Sequence, residues 1–461
     1  MAAQGDIQRP DPSARPPGES LPPPARLWWT RRLAIPYLLL VAALVISHFS
    51  WQRTADRRLA EALAMYKAAG ISLIVKDYES PPVADEDNAA VLYIAALGEK
   101  DRSAIVARTL LNTRASWFDL VRQARGRTKL DWRQPPRGSY SFPFQSFMDL
   151  FTLILRRAES QKDQGQYAQA VQTLLDAEAL SRAFGQAPSR AFGQAPAIML
   201  RQFSLEFLAH MVERIVPDLQ IVQGGEGTDP NEARADARSV RELANLLATE
   251  DIGLAEHHAW VVQVAHDYAT ARFSQERPQL LPPGLCRLPY VARPMLIADQ
   301  AFMLRRHWWD IECCRQPLLR QARRCQDRIP KLGYGMGAMA HPFSFVFRGL
   351  NSPNSERQYG VIAESRLAAI RLALRLFELE RGRLARSLEE LVPDYLPAVP
   401  QDPMDPNGGP IRAVLEGPQP RVYSLGENMV DDGGRRDNNW PQPRGDVVYF
   451  LSPAAEGAGR N

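Results

Sequence analysis

LAIPYLLLVAALVISHF, at residues 33–49, is an apolar segment with no Asp, Glu, Lys or Arg between Leu33 and Trp51. As a helix with a rise of 1.5 Å per residue, it approaches the roughly 30 Å of a bilayer's hydrocarbon core. Trp28 and Trp29 precede it and Trp51 follows it, as interfacial anchors do. The alternatives are a buried core helix, which would carry a polar stripe, and a signal peptide, which would be followed by a small-x-small cleavage site. Neither feature is present, so the segment predicts an uncleaved single-pass transmembrane helix over residues 33–51.

The charges around this segment predict its orientation. A tight Arg31–Arg32 pair precedes it, whereas the arginines after it are diluted by Asp56 and Glu61. Because positive charge stays on the cytoplasmic side, we expect a cytoplasmic N-terminus. Residues 1–32 are rich in proline and hold little to bury, which predicts a disordered tail, or alternatively a polyproline ligand for a partner. The bulk of the chain would then lie outside the cytoplasm, on the periplasmic side of a bacterial inner membrane.

Composition limits what the rest of the chain can be. The chain has 461 residues, of which 45% are hydrophobic and 23% charged, as in ordinary globular proteins. Its net charge of +4 is small, and its arginines alternate with acidic residues, which is typical of a solvated surface and not of a nucleic-acid interface. We predict a mainly α protein with a helical extracytoplasmic domain at residues 52–350 and a small α+β domain at residues 351–461.

Two helices are predicted directly after the anchor. Residues 55–69 place apolar side chains at helical spacing, and Gly70 is a plausible stop. Residues 71–82, ISLIVKDYESPP, predict a short strand or an extended link. In DEDNAAVLYIAAL, Asp85, Asp87 and Asn88 are typical helix caps, and we prefer capping to metal binding for this acidic cluster.

The middle of the chain contains two kinds of repetition. GQYAQAVQTLLDA, from Gly165, resembles the second helix of a tetratricopeptide hairpin, but only one copy is visible, so we predict a helical hairpin and not a repeat domain. SRAFGQAP occurs twice in succession, at residues 181–188 and 189–196. An eight-residue unit with Gly and Pro has no face to stack, so we expect the duplication to lengthen a loop that tolerates loss of one copy.

Two further helices follow in the pattern. One is predicted from about Asn231 toward Leu247, capped near Thr228 or Asp229. Another spans about residues 252–273 and holds a histidine cluster. That cluster lacks the i, i+4 spacing of metal-binding helices, which favours solvated or capping histidines over a zinc site. Its titratable residues are Glu256, His257, His258, His266 and Asp267.

The four cysteines predict no zinc ribbon or thioredoxin-like site, because no CxxC is present. Residues 295–328 are expected to be helical. Cys314 and Cys325 would be over about 15 Å apart on an unbroken helix, too far for a disulfide unless Pro317 bends it. Cys286 paired with Cys313 or Cys314 is the first disulfide to test. The nearby GYGMGAM lacks the strand and lysine of a phosphate loop and is interpreted as a Gly-rich connection.

The last hundred residues carry several motifs in a specific order. The amphipathic helix VIAESRLAAIRLALRLFELERG is followed by SLEELVP, then by QDPMDPNGGP, YSLG, the Asp/Gly-rich NMVDDGG and GDVVYF. This order resembles the globular head of the type II secretion major pseudopilin family over residues 356–450, about a fifth of the chain. The resemblance implies a head built on a long helix, a hairpin and a calcium loop.

This sequence departs from that family upstream of the head. Pseudopilins join their hydrophobic segment directly to this helix, behind a prepilin-peptidase site. Here the anchor lies some 300 residues earlier and no such site precedes it. Assembly through packing of N-terminal helices is therefore not implied.

The Asp/Gly-rich loop is the predicted metal site. Its aspartates offer hard oxygens, and its glycines let backbone carbonyls turn inward, as calcium coordination requires, although such a stretch can equally be a solvated turn. The resemblance implies Leu425, through its carbonyl, Asp432 and Asp446 as ligands, with Asp431 and Asp437 next. The insertion RRDNNWPQP before Asp446 leaves the ligand set open. The expected cofactor is calcium in a structural role.

Two classes of function remain. The first is a membrane-anchored envelope scaffold whose helical domain and head bind other proteins. The second is an extracytoplasmic hydrolase with a site in the helical domain near His257 and His258. The sequence has no GxSxG, HExxH or phosphate loop, so the first class is preferred.

Overall fold

The computed structural model describes most of the chain in separate stretches and is mainly helical, with one small antiparallel sheet. Both features agree with the predicted fold class. The described residues are 25–71, 83–103, 116–131, 144–185, 197–221, 234–250, 293–328, 355–435 and 445–451.

Ten α-helices, two 3-10 helices and three strands make up these stretches. The helices are α1 Ala25–Ala68, α2 Ala89–Ser103, α3 Ser116–Arg125, α4 Phe144–Asp163, α5 Tyr167–Gly185, α6 Ala197–Ile215, α7 Ala237–Ala248, α8 Arg293–Cys314, α9 Leu319–Gln326 and α10 Ser355–Arg381. The 3-10 helices are Val216–Asp218 and Leu388–Leu391, and the strands are β1 Arg412–Val414, β2 Arg421–Ser424 and β3 Val447–Phe450.

α1 is a single helix of 44 residues that joins the apolar segment to the predicted helix after it. Pro36 lies within this helix. The apolar segment is long and hydrophobic enough to cross a membrane, and none of its most apolar window is buried by the rest of the protein. After Trp51, α1 instead packs against α8. The shared cluster contains Ala55, Leu59, Ala62 and Tyr66 of α1 with Ile297, Ala301, Leu304 and Ile311 of α8.

The C-terminal end of α1 has the predicted glycine stop. Gly70 has φ of 70°, and the Ile71 N–H donates to the Tyr66 carbonyl while the Gly70 N–H donates to Lys67. These two bonds form a Schellman motif, which satisfies the carbonyls that the last turn leaves open. The Tyr66 hydroxyl also donates to the Leu304 carbonyl at 2.7 Å, so this end of α1 is fixed to α8.

α2 to α7 build a helical layer around one core. α2 is capped as predicted, because the Asn88 Oδ1 accepts the Ala90 N–H. α4 and α5 form the predicted hairpin around Gly165, which again closes a Schellman motif at φ of 74°. Phe147, Phe151 and Phe184 are fully buried within this layer.

The tandem octapeptide was predicted to lengthen a loop, and this is wrong for part of its first copy. The first five residues of the first copy form the last turns of α5, where Ser181 and Phe184 are fully buried. The Phe184 ring lies 4.5 Å from that of Phe147, and the Ser181 and Ser204 hydroxyls share a hydrogen bond. The prediction failed because tertiary packing decides which copy continues a helix, and two identical copies carry the same local signals. The second copy lies outside the described residues.

α7 begins later than predicted. Its N-cap is Asp236, whose carboxylate accepts the N–H groups of Arg238 and Ser239. The predicted start near Asn231, with a cap at Thr228 or Asp229, is therefore wrong. Several acidic or hydroxyl residues preceded the apolar pattern, and the sequence did not distinguish among them.

α10 lies at the centre of the molecule. It packs on α6 and α7 with one side and contacts β2, β3 and α9 with another. Leu367, Ala369 and Ile370 are fully buried, and one continuous apolar cluster runs from α2 through α10 to Tyr449. The sheet order is β1-β2-β3, and both pairs are antiparallel.

Residues 315–318, which include Pro317, separate α8 from α9, so Cys314 and Cys325 do not lie on one unbroken helix. Cys313 and Cys325 are both buried. The pairing of Cys286 with Cys313 or Cys314 stays a prediction. Cys286 lies outside the described residues, as do residues 72–82 of the predicted strand or extended link, the His257 helix, GYGMGAM and residues 1–24 of the N-terminal tail. The prediction of a disordered tail is wrong for residues 25–32, because they form the first turns of α1, which continues into the apolar segment.

Candidate metal centre

Strand pairing brings two of the predicted ligands together. β2 and β3 are antiparallel, and Ser424 pairs with Val447. Leu425 directly follows the end of β2, and Asp446 directly precedes the start of β3. The two residues therefore lie side by side at one edge of the sheet, and the loop between them returns to the same place.

Asp446 has a buried carboxylate with one oxygen unused. The residue is 3% exposed. Its Oδ2 accepts the Gly434 N–H at 2.7 Å, whereas its Oδ1 is buried and accepts no hydrogen bond from any described residue. Burial, together with the charges of Asp432 and Asp431, raises the pKa of Asp446 to about 6, against the effect of the Gly434 N–H. A buried acceptor without a donor costs stability, and a cation would offset that cost.

Glycine is required at position 434. Its φ is 72°, and a Cβ there would lie 2.5 Å from the Arg421 Nε. Only glycine fits both the backbone conformation and the space. Its N–H is thereby aimed at Asp446, which fixes the carboxylate at the loop's return.

The carboxylates of the other predicted ligands differ in how many partners they already have. The Asp432 Oδ2 accepts from the Asn428 side chain at 3.1 Å. Asp431 is already paired, because its Oδ2 lies 3.2 Å from the Arg412 Nε and its Oδ1 accepts the Gly433 N–H. Asp437 lies outside the described residues. Asp446 and Asp432 thus have more freedom to face a cation than Asp431.

The loop is supported by residues that the sequence reasoning did not single out. Asp402 is fully buried and accepts the N–H groups of Met404 and Leu425 and the Ser424 hydroxyl. Burial raises its pKa, against those three hydrogen bonds. Since one of these donors is Leu425, Asp402 fixes the backbone at the predicted carbonyl ligand.

Arg412 connects the QDPMDP segment to the Asp/Gly-rich loop. Its guanidinium lies 2.9 Å from Asp405 and 3.2 Å from Asp431. The sequence signal for this arrangement was the doubled Asp-Pro in QDPMDP. Asp402 and Asp405 each accept the N–H two residues on, as Asx turns do.

The Asp446 Oδ1 is an oxygen that suits a hard cation, but the described residues alone do not form a complete metal site. Among the described residues, no three His, Cys, Asp or Glu side chains lie close enough to hold a metal ion. The unused Oδ1 of Asp446 and the two neighbouring aspartates are nevertheless all oxygen donors, which calcium prefers. Leu425, Asp432 and Asp446 are the residues that would hold the ion, and it would supply positive charge beside the buried Asp446 carboxylate.

The residues proposed for an enzymatic site, Glu256, His257, His258 and Asp267, all lie outside the described residues. Within the helical layer, the described buried charges are paired with each other. Arg201 lies 3.0 Å from Glu178 and 2.5 Å from Glu250. This network joins α5 and α6 to the residue two positions after α7.

No family model, curated protein or solved structure matches this chain.

Proposed function

We propose that this chain is a single-pass membrane protein of the bacterial envelope, whose folded body serves as a non-catalytic, protein-binding scaffold with a calcium-stabilised head. The observation that carries the proposal is the division of α1. Its first half exposes a continuous apolar surface, with Leu40 and Leu44 each about 60% exposed, while its second half is buried against α8. An uninterrupted apolar helix of this length needs a covering of hydrocarbon.

The orientation follows from the flanking charges. Arg31 and Arg32 stand before the span, and the folded body follows it. With positive charge inside, the N-terminal tail is cytoplasmic and the body periplasmic. The resemblance of residues 356–450 to a pseudopilin head supports the same compartment, since such heads act outside the cytoplasmic membrane.

A rigid connection between anchor and body supports a scaffold. α1 has no break between the span and Ala68, and Tyr66 fixes its end to α8. The body is therefore held at a set distance from the membrane and not on a free tether. A protein that presents binding surfaces to other envelope components gains from such a connection.

Calcium would stabilise the head at the return of the Asp/Gly-rich loop. An ion held by Asp446, Asp432 and the Leu425 carbonyl would neutralise carboxylates that burial and mutual repulsion disfavour. The alternative function, an extracytoplasmic hydrolase, depends on residues outside the described stretches.

Membrane anchoring is tested by alkaline extraction of membranes. We compare wild type with the double variant Leu40→Arg/Leu44→Arg, since each arginine at the centre of a span costs about 3 kcal/mol of insertion. The control adds the same charges to exposed positions of the same helix beyond the span, Ala60→Arg/Ala64→Arg. Wild type and control should stay in the membrane pellet, and the span variant should not. Release of wild type into the supernatant would refute the anchor.

The calcium part is tested by thermal unfolding of the full chain in detergent, with calcium and with chelator. Calcium should raise the midpoint of wild type and of Glu416→Gln, which removes an exposed carboxylate of the same head. It should not raise that of Asp446→Asn. Equal responses in Asp446→Asn and wild type would exclude Asp446 as a ligand.

A further inference from the structure

The turns of α1 that follow the apolar segment carry three exposed arginines. Arg53, Arg57 and Arg58 come shortly after Trp51, the aromatic residue at the end of that segment. With a rise of about 1.5 Å per residue, they lie about 3, 9 and 10 Å beyond Trp51 along the helix axis. Polar headgroups form a layer of about 5–7 Å on each side of a bilayer's hydrocarbon core. With α1 as an unbroken membrane anchor, the three arginines lie within this layer or directly above it.

The three side chains are directed away from the folded body. The side of α1 that packs against α8 contains Ala55 and Leu59. At 3.6 residues per turn, Arg53 and Arg57 lie one turn apart on the opposite side of the helix, and Arg58 is exposed between the two sides. Side chains of a helix tilt toward its N-terminus, which in α1 is the direction of the apolar segment. Long arginine side chains at these positions therefore lean toward the headgroups.

Two of these arginines have no carboxylate partner among the described residues. Arg57 lies 3.4 Å from Glu61, but the Glu61 carboxylate also lies 2.6 Å from the Arg305 Nη2 of α8. One carboxylate thus serves two guanidinium groups. Arg53 and Arg58 have no ion pair with any described residue. Their charges are therefore available to a partner outside the protein.

The surface just beyond the apolar segment has an excess of positive charge. Its other acidic residue is Asp56, whose carboxylate accepts a hydrogen bond from the Gln52 side chain at 3.0 Å. With Arg305 included, four arginines stand against two carboxylates. This excess lies at the depth at which the phosphate groups of lipids are found, so the complementary charge is that of an anionic membrane surface.

We propose that Arg53, Arg57 and Arg58 bind the phosphate groups of anionic phospholipids at the membrane surface next to the folded body. The proposal rests on the membrane anchor proposed above but not on its orientation. A planar guanidinium presents paired donors that match two phosphate oxygens. A basic side chain at this depth raises the affinity for an anionic lipid about fivefold. Such contacts fix how far α1 extends from the bilayer, and hence where the body is held.

Native mass spectrometry of the full chain in detergent, titrated with phosphatidylglycerol and separately with phosphatidylcholine, tests the proposal. Wild type should bind phosphatidylglycerol more tightly. Because Arg31 and Arg32 lie on the other side of the apolar segment, this preference alone does not locate the site. Arg53→Gln/Arg58→Gln should lower the affinity for phosphatidylglycerol roughly 25-fold, about fivefold for each arginine, and leave that for phosphatidylcholine unchanged.

The matched control is Lys67→Gln, which removes an exposed cation of the same helix about 24 Å beyond Trp51. This distance exceeds the screening length of about 8–10 Å, so the control should bind both lipids as wild type does. An unchanged affinity for phosphatidylglycerol in Arg53→Gln/Arg58→Gln, or an equal loss in Lys67→Gln, would overturn the site. A chain that stays soluble without detergent and binds neither lipid would overturn the anchor as well.

Discussion

Asp446 is the residue at which burial, charge and backbone geometry conflict most clearly. Its folded pKa of about 6 lies above the ordinary value of 3.8. The folded state therefore binds more protons than the unfolded state between these values. The stability that this group contributes is fully present below pH 3.8 and is lost as the pH rises through 6.

We therefore predict that the calcium-free protein loses stability at Asp446 between these pH values, by on the order of 1–2 kcal/mol. Denaturant unfolding with chelator across this range measures the effect. Asp446→Asn keeps an acceptor for the Gly434 N–H but cannot ionise, so it should be more stable than wild type at neutral pH. Parallel pH profiles for the two proteins would contradict the assignment.

Phe184 and Phe192 occupy the same place in the two copies of SRAFGQAP. Phe184 is fully buried against Phe147 and Tyr93, so Phe184→Ala should destabilise the protein by about 3–5 kcal/mol. Phe192→Ala, in the copy expected to lengthen the loop, should cost far less, and so should deletion of residues 189–196. Denaturant midpoints of the variants measure this, and equal losses would show that both copies pack.

Single residues were predictable where the signal is local. Asn88 as a cap and Gly70 as a stop follow from side-chain and backbone chemistry within a few positions. Asp402 and Arg412 were missed because their roles depend on partners brought together by the loop and the sheet.

Replacing glycine by alanine should have opposite effects on stability at the end of a helix and in its interior. Gly70 ends α1 with a positive φ, whereas Gly360 lies inside α10, where an added Cβ would lie 3.7 Å from the Met404 Cε, an ordinary van der Waals contact. Gly360→Ala should therefore stabilise the protein by about 0.5–1 kcal/mol, and Gly70→Ala should destabilise it by about 1 kcal/mol. Denaturant unfolding of both variants is the measurement. A stabilising Gly70→Ala would contradict the Schellman geometry.

The helices were predictable in type more than in extent. Hydrophobic periodicity found α2, α5 and α10, because one face of each is buried in a core. The same periodicity predicted an anchor and a separate second helix where the structure has the single helix α1. The backbone continues without a break, but the apolar face is unburied in the first half and packs against α8 in the second. The start of α7 was misplaced because several residues before Asp236 carry equal capping chemistry.

For the whole molecule, α10 decides how the parts are joined. Its two sides are buried by α6 and α7 and by the sheet, so the apolar core passes from the helical layer into the head without interruption. The sequence predicted this helix through its hydrophobic periodicity but did not indicate that a second side of it is buried. Which helices contact it depends on long-range packing that periodicity does not encode.

The orientation of the whole molecule is tested most directly by protease accessibility of an epitope tag placed after Asn461. We predict that protease added to intact spheroplasts removes the tag, and that the tag is protected in inside-out inner-membrane vesicles until detergent is added. A tag protected in spheroplasts but removed in inside-out vesicles would place the folded body in the cytoplasm and contradict the proposed function.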